Sequence, residues 1–273
     1  MPLKVNIPGA VVSSKHLLKA HRDLSAHNEK LVTGRRINSA SDDAANLGVV
    51  SNLDTQRQGT RVAMRNINDG VSLVNTMEST ATQISDKVMR MRELAVQGAG
   101  DTLGTQERRY LQEEMAAVQA EVNRLANGSE FNGLNYANGS STSIELQMGA
   151  NNSTSDRMTI DFSDMRSSTL FGGLVVGVKT ATNSQDSLGI LDRALDRLGS
   201  IRSGFGADIN VMSAAEAQSE LYSENINVAT SRVLDTDYAH QTAEMARAQM
   251  VIQANVAVRA QAGISAQAVA SLI

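Results

Sequence analysis

Cysteine and tryptophan are both absent from the 273 residues, and proline occurs only twice. Without cysteine there is no disulfide framework, no zinc ribbon and no thiolate chemistry, and the redox compartment stays open. Four tyrosines and four phenylalanines are few for a chain long enough to bury a sizeable core, so the interior must be built from aliphatic side chains, alanine and methionine. That composition favours helices packed on helices. Charge of one sign is also scarce: 25 basic against 29 acidic residues leave a net −4, with no run of five or more Lys or Arg. The basic stripe of a nucleic-acid-binding domain is missing, and Arg35 with Arg36 is too little to make one. Nowhere do 18 apolar residues run together, which argues against membrane insertion, and the opening MPLKVNIPGAVVSS lacks the continuous apolar stretch of a secretory signal.

Catalytic and metal-binding patterns are equally thin. His16, His21, His27 and His240 are not spaced i, i+4 as in a metal-binding helix, and they read as exposed residues on polar faces. The stretch Gly98-Ala-Gly-Asp-Thr-Leu-Gly104 follows a helix where a dinucleotide fingerprint needs a strand, so it reads as a helix-ending loop. Asp192, Arg193, Asp196 and Arg197 form an alternating charged outer face rather than a catalytic pair. There is no GxSxG and no P-loop pattern, so no enzyme activity, metal or cofactor is expected.

What is present is a repeat of seven. Ile67, Val74, Ala81, Val88 and Ala95 recur with that spacing, and Met77, Ile84 and Met91 add a second row, which predicts a coiled-coil helix over 67–97. Such a helix would be about 46 Å long at ~1.5 Å per residue, which predicts an elongated molecule. After the glycines a shorter helix should return, with Leu111, Met115, Val118, Val122 and Leu125 inward and an end at Asn127-Gly128. A later segment repeats the scheme with Leu188, Leu191, Leu195 and Leu198, then Phe205, Met212, Ile226 and Val233, interrupted by Ser219. It should lie against the 67–97 helix, since each offers a narrow apolar row that needs cover.

The two ends carry rows of their own. Ala10, Leu17, Leu24 and Leu31 fall seven apart, as do Ala243, Met250, Ala257 and Ile264, which predicts a second coiled coil joining the termini. From Ala248 to Ile273 the only charged side chain is Arg259, yet five Gln and Asn punctuate the segment, so it needs a protein partner rather than lipid. Between 129 and about 185 the composition shifts to Asn, Gly, Ser and Thr. Alternation at Ile144, Leu146, Met148 and at Met158, Ile160, Phe162 predicts a hairpin, with a third alternating piece at Leu174, Val176, Val178. The loop Asn38-Ser-Ala-Ser-Asp-Asp43 reads either as a helix N-cap or as a specific subunit contact.

Leu31-Val-Thr-Gly-Arg-Arg-Ile-Asn-Ser-Ala-Ser-Asp-Asp-Ala-Ala through Val49 resembles the N-terminal signature of bacterial flagellins. Asn68-Asp-Gly-Val-Ser-Leu73, Arg92-Glu-Leu-Ala-Val-Gln97, Glu121-Val-Asn-Arg-Leu-Ala126 with Glu130-Phe-Asn-Gly133, Glu224-Asn-Ile226, Asp235-Thr-Asp-Tyr-Ala239 and the closing Gln267–Ile273 are similar to further blocks in the same order. The resemblance covers about 1–137 and 186–273. Where the family commonly has Leu-Gly-Ala-x-Gln-Asn-Arg-Phe, this chain departs with Leu198-Gly-Ser-Ile-Arg-Ser-Gly-Phe205, in what should be a loop. The short middle implies a flagellin without outer variable domains.

The expected fold is mainly α: an elongated coiled-coil helical bundle with paired N- and C-terminal segments and a small central β-hairpin region. Its expected divisions are 1–45 and 237–273 for the two halves of the terminal coiled coil, 46–137 and 186–236 for the rod helices, and 138–185 for the β-rich centre. The resemblance implies a structural subunit that self-assembles into the extracellular flagellar filament used for motility, with ends largely unfolded in the free monomer. Implied partners are further copies of the chain, sister flagellins, a flagellar export chaperone, the type III export apparatus, and the filament cap and hook-junction proteins.

Candidates for the polymerisation core are Leu17, Leu24, Leu31, Met250, Val256, Ala257 and Ile264. For the rod-domain core they are Ile67, Val74, Ile84, Val88, Met91, Phe205, Met212, Ile226 and Val233. The resemblance places Asn38, Asp42, Asp43, Arg90, Leu94 and Glu114 near subunit contacts, and the last three on the surface that a vertebrate innate receptor recognises in some flagellins. Alternatives are a hook-filament junction protein, a hydrolase displayed on such a scaffold, and a cytoplasmic coiled-coil signalling module.

Overall fold

The computed structural model describes residues 8–270, and side chains from 14 to 261 together with Ile264. The side chain of Ala10 and the last three residues of the closing Gln267–Ile273 block lie outside the described residues. Six helices and four short strands follow in the order α1 Pro8–Thr33, α2 Ala44–Ala99, α3 Thr105–Gly128, β1 Glu130–Phe131, β2 Leu134–Asn135, β3 Ser143–Gln147, β4 Arg157–Asp161, α4 Ser167–Leu170, α5 Ala181–Leu234 and α6 Tyr238–Ala270. Residues 1–55 with 224–273 form one compact unit, and residues 56–223 form the other. The long helices α2 and α5 contribute to both.

In the 56–223 unit the repeat of seven is realised along α2. Ala63, Ile67, Gly70, Val74, Met77, Ala81, Ile84, Val88, Met91, Ala95 and Gly98 are buried at alternating steps of three and four. Pairings fix the helix directions. As numbers fall along α2 they rise on α3, from the Arg108 side chain on the Gly98 carbonyl, through Arg90 with Glu114, to Thr80 with Ser129. They also rise on α5, with Arg92 on Asp192, Glu78 with Arg202 and Asn68 on Glu216. Both neighbours therefore run antiparallel to α2. Met115 and Val122 of α3 and Leu191, Leu198, Phe205 and Met212 of α5 complete the core. Each such side chain contributes roughly 1.5–3 kcal/mol by leaving water, whereas the exposed ion pairs between helices are worth about 0–1 kcal/mol each.

Strands cover part of this core. β3 and β4 pair antiparallel with Ile144 opposite Ile160 and Leu146 opposite Met158, so one apolar face turns to the helices. Gly70 makes the seat: a Cβ there would stand 2.6 Å from Leu146 Cδ2. Phe162, just beyond β4, bridges Tyr136 and Phe205, with ring centroids 4.7 and 6.2 Å away.

Several expectations need correction here. The helix predicted over 67–97 extends from Ala44 to Ala99. A second hairpin, β1–β2, closes through Asn132 (φ 52°) and Gly133 (φ 77°), ahead of the expected β-rich centre, and residues 181–185 already belong to α5. The piece at Leu174, Val176, Val178 forms no strand among the described residues. Val176 and Val178 are buried, but the backbone is satisfied by helix side chains: Val178 N donates to Gln112 Oε1 at 2.8 Å, and Gly177 N to Ser187 Oγ at 2.9 Å. The expected loop at Leu198–Phe205 is helical, with both end residues buried and Arg202 paired with Glu78. Both described chain ends are helical in the single chain, because each has the other to pack against.

Candidate assembly surface

In the unit formed by the two ends, α1 and α6 pair with little core between them. Gln241 Nε2 lies 2.5 Å from His27 Nδ1 and the Tyr238 hydroxyl donates to the Leu31 carbonyl at 2.7 Å, so α6 runs antiparallel to α1. Toward the partner α1 turns Leu17, Ala20, Leu24, His27 and Leu31, of which Ala20 alone is fully buried. From α6 the inward row is Gln241, Met245, Ala248, Ile252 and Asn255, again at steps of four and three. This corrects the row predicted for the C-terminal helix. Ala243, Met250, Ala257 and Ile264 are exposed, as is Val256; Met250 is 63 % and Ile264 60 % accessible. The seam uses a Gln and an Asn where apolar counting looked for Met and Ile.

In the single chain α6 therefore leaves apolar side chains uncovered, while the exposed face of α1 is mostly polar apart from Leu18 and Val32. Leu18 and Val32 on α1 and Met250, Val251, Val256, Val258 and Ile264 on α6 are all exposed. A soluble monomer seldom leaves so many large apolar side chains along one pair of helices. Among the described residues no helix is long and apolar enough to cross a membrane, and no group of three or more His, Asp or Glu could hold a metal ion.

At one end of the pair lies the 34–43 loop, held by its own polar side chains and by the α5–α6 junction. Gly34, at φ 68°, accepts from Thr236 N at 3.0 Å. Arg36 N donates to the Leu234 carbonyl at 2.6 Å, and its Nη2 to the Val233 carbonyl at 2.8 Å. Asp42 Oδ2 accepts from the amides of Asn38 and Ser39 and from the Ser39 hydroxyl. Asp43 caps α2: its Oδ1 accepts from Asn46 N at 3.0 Å and its Oδ2 from the Asn46 side chain at 2.6 Å. Both carboxyls are held below their usual range, Asp42 first by the Asn38 amide and Asp43 first by the Asn46 amide.

Arg90, Leu94 and Glu114 belong to the other unit. Arg90 Nη2 stands 2.6 Å from Glu114 Oε1 and its Nη1 2.9 Å from Glu93, hydrogen bonds that raise the guanidinium pKa, Glu114's first. Leu94 is 1 % exposed and faces the core, which corrects its placement on an outer surface. Of the rod-core candidates, Ile67, Val74, Ile84, Val88, Met91, Phe205 and Met212 are buried in the 56–223 unit. Ile226, buried, and Val233, half-buried, lie in the unit of the chain ends instead. Ser219, which breaks the apolar row, lines an open cavity of about 370 Å³ with Thr60, Met148, Asp156 and Tyr222.

Sequence reasoning passed over Gln241 and met Arg36 and Tyr238 only within family blocks, though all three tie the ends together. Polar seam and loop residues leave no periodic signal, so only the long separation of their partners, visible in the fold, reveals them.

The chain matches known proteins over most of its length. The family model described as "Bacterial flagellin N-terminal helical region" matches residues 9–142, and "Bacterial flagellin C-terminal helical region" matches residues 188–273. A flagellin of Treponema pallidum (strain Nichols) is 31% identical over 260 residues, covering 90% of each chain. The flagellin of Halalkalibacterium halodurans is 31% identical over 264 residues, covering 94% of this chain and 96% of its own. Among solved structures, the crystal structure of Bacillus cereus flagellin aligns with TM-score 0.51 and 25% identity over 57% of this chain and 88% of that one. A putative flagellar hook-associated protein from Vibrio parahaemolyticus shares the fold at TM-score 0.59 and 15% identity, over 71% of this chain and 100% of that one.

Proposed function

The chain belongs to the bacterial flagellins, structural subunits of the flagellar filament, and on that premise we propose that the paired ends, α1 with α6, are the part through which copies polymerise. The carrying observation is that α1 leaves large apolar side chains of α6 exposed, Met250 and Ile264 on its outer row and Val256 on its flank. Adjoining copies cover this row and the exposed Leu18 and Val32 of α1. At roughly 25 cal/mol per Å², covering about 1,000 Å² gives about 25 kcal/mol gross, most of it cancelled by ordering and association costs. Leu17, Leu24 and Leu31 act within the subunit, holding α6 in register so that its outer row is presented.

The loop residues Asn38, Asp42 and Asp43 shape a subunit contact in this reading. Their side chains fix the loop and start α2, so the contact is made by a rigid backbone rather than by free carboxylates. Arg90 and Glu114 stand near a second contact and offer the exposed part of an innate-receptor-like surface. Export through the flagellar type III apparatus with a chaperone, extracellular placement in the filament, contacts with cap and hook-junction proteins, and co-assembly with sister flagellins complete the reading. No catalytic role is assigned to any residue.

Seeded growth tests this function. Heat-dissociated protein added to filament fragments should elongate them. Leu24→Asp should leave a soluble helical monomer that does not elongate seeds, and filaments of normal length from that variant would overturn the assignment.

A further inference from the structure

Of the twelve methionines, five are buried in the core (Met77, Met91, Met115, Met165 and Met212), and among the described residues only Met89 and Met250 are exposed, at 46 % and 63 %. Met89 projects from α2 in the 56–223 unit, beside the ion-paired Arg90, Arg92 and Glu93. Met250 is the most exposed of the described large apolar side chains on α6, on the face α1 does not cover, with Val251 next in sequence and Ala257 and Ile264 one and two heptads along. A thioether so placed is well exposed, with Ala246, Ala254 and Ala257 around it and Arg247 and Gln253 at its flanks.

We propose that Met250 is an oxidation site that controls assembly: peroxide-class oxidants convert it to the sulfoxide in the free subunit, and the sulfoxide blocks addition to the filament. The step transfers one oxygen atom from hydrogen peroxide to Sδ. An S–O bond forms, the peroxide O–O bond breaks, sulfur is oxidised by two electrons, and water leaves. A flexible, polarizable side chain suited to filling gaps in a packed interface becomes polar and chiral. Burying the S=O group against the apolar side chains of a neighbouring copy leaves a strong acceptor without a donor, which opposes docking. The lesion is reversible by methionine sulfoxide reductases, so the blocked subunit returns to the assembling pool. The inference rests on the reading that copies cover this face of α6.

The test treats full-length monomer with dilute hydrogen peroxide, maps sulfoxides by peptide mass spectrometry, and follows elongation of untreated seeds. Sulfoxide should form fastest at Met89 and Met250, and elongation should slow by about tenfold or more, as expected when a few apolar contacts are lost. Methionine sulfoxide reductase should restore growth. Met89→Leu should remain sensitive and Met250→Leu resistant. Met250 in assembled filaments should oxidise far more slowly than in monomer. Full elongation by protein carrying the Met250 sulfoxide, or inhibition that the reductase does not reverse, overturns this proposal while leaving the assembly reading intact. Equal oxidation of Met250 in monomer and filament overturns both, as does failure of untreated protein to elongate seeds.

Discussion

Arg36 Nη2 donates to the Val233 carbonyl at 2.8 Å, joining residues 197 positions apart at the junction where α5 gives way to α6. The same arginine's backbone amide holds the Leu234 carbonyl, so two of the last carbonyls of α5 find partners from the N-terminal loop. Replacing Arg36 with Ala keeps the amide contact and removes the guanidinium. A loss of about 1 kcal/mol in the unit of the chain ends is expected, read by urea unfolding, with faster hydrogen exchange at the Thr236 amide.

Two glycines in long helices should behave in opposite ways. Gly70→Ala places a Cβ 2.6 Å from Leu146 Cδ2 and 3.0 Å from Met212 Sδ, so β3 must move; a cost of about 1–3 kcal/mol is expected in thermal unfolding. Gly199 in α5 has nothing within 4 Å of its would-be Cβ. Gly199→Ala should raise stability by about 0.5–1 kcal/mol, and a destabilised Gly199→Ala protein would contradict the open helical environment.

Acid stability should turn on two aspartates with opposite shifts. The Asp164 carboxyl is held down to about 2, first by the Arg166 guanidinium, with further help from the Thr169 hydroxyl and the Arg166 amide. Its folded value lies below the unfolded one, so its contribution is complete above about pH 4 and disappears as the pH falls toward about 2. Asp164→Asn should therefore lower the melting temperature at pH 7 and leave it unchanged near pH 2. Asp208 is raised by burial and then by the nearby Asp161 charge, so its ionisation opposes folding and the cost vanishes in acid. Asp208→Asn should raise the melting temperature at pH 7, and a fall there would refute the account from burial and the Asp161 charge.

Ile264 gives the cleanest separation of folding from polymerisation. It is 60 % exposed on the outer face of α6, so Ile264→Asp should barely change the far-ultraviolet circular dichroism of the monomer. Seeded elongation should nonetheless fall by tenfold or more, about what a charge forced into an apolar contact costs. Normal elongation by this variant would place the contact on another face.

The sequence was most legible where packing is dense. In α2 every seventh residue from Ile67 to Ala95 is buried, because helices on two sides leave no polar residue a place in the seam. On α6 the apolar count misleads: the inward row includes Gln241, buried and bonded to His27, and the half-buried Asn255, while the apolar Met250 and Ile264 face outward. Leu94 was set on an outer surface by the family resemblance alone; α2 buries it, like Leu73, beside the seam. The Asn132-Gly133 turn carried a hairpin signal, but two-residue strands are too short to alternate. Leu174 to Val178 alternates like a strand yet binds helix side chains, a choice made by Gln112 and Ser187 far along the chain.

The stacking of Tyr136 on Phe162 has an optical consequence. All four phenylalanines and three of the four tyrosines lie in the 56–223 unit, and Tyr238 is the single aromatic of the other. With no indole to dominate, the near-ultraviolet dichroism of the buried Tyr136 phenol should report the melting of the 56–223 unit, while amide bands follow both. The protein thus carries a native chromophore that lets heat-induced loosening of its ends be watched separately from collapse of its core, with no label attached.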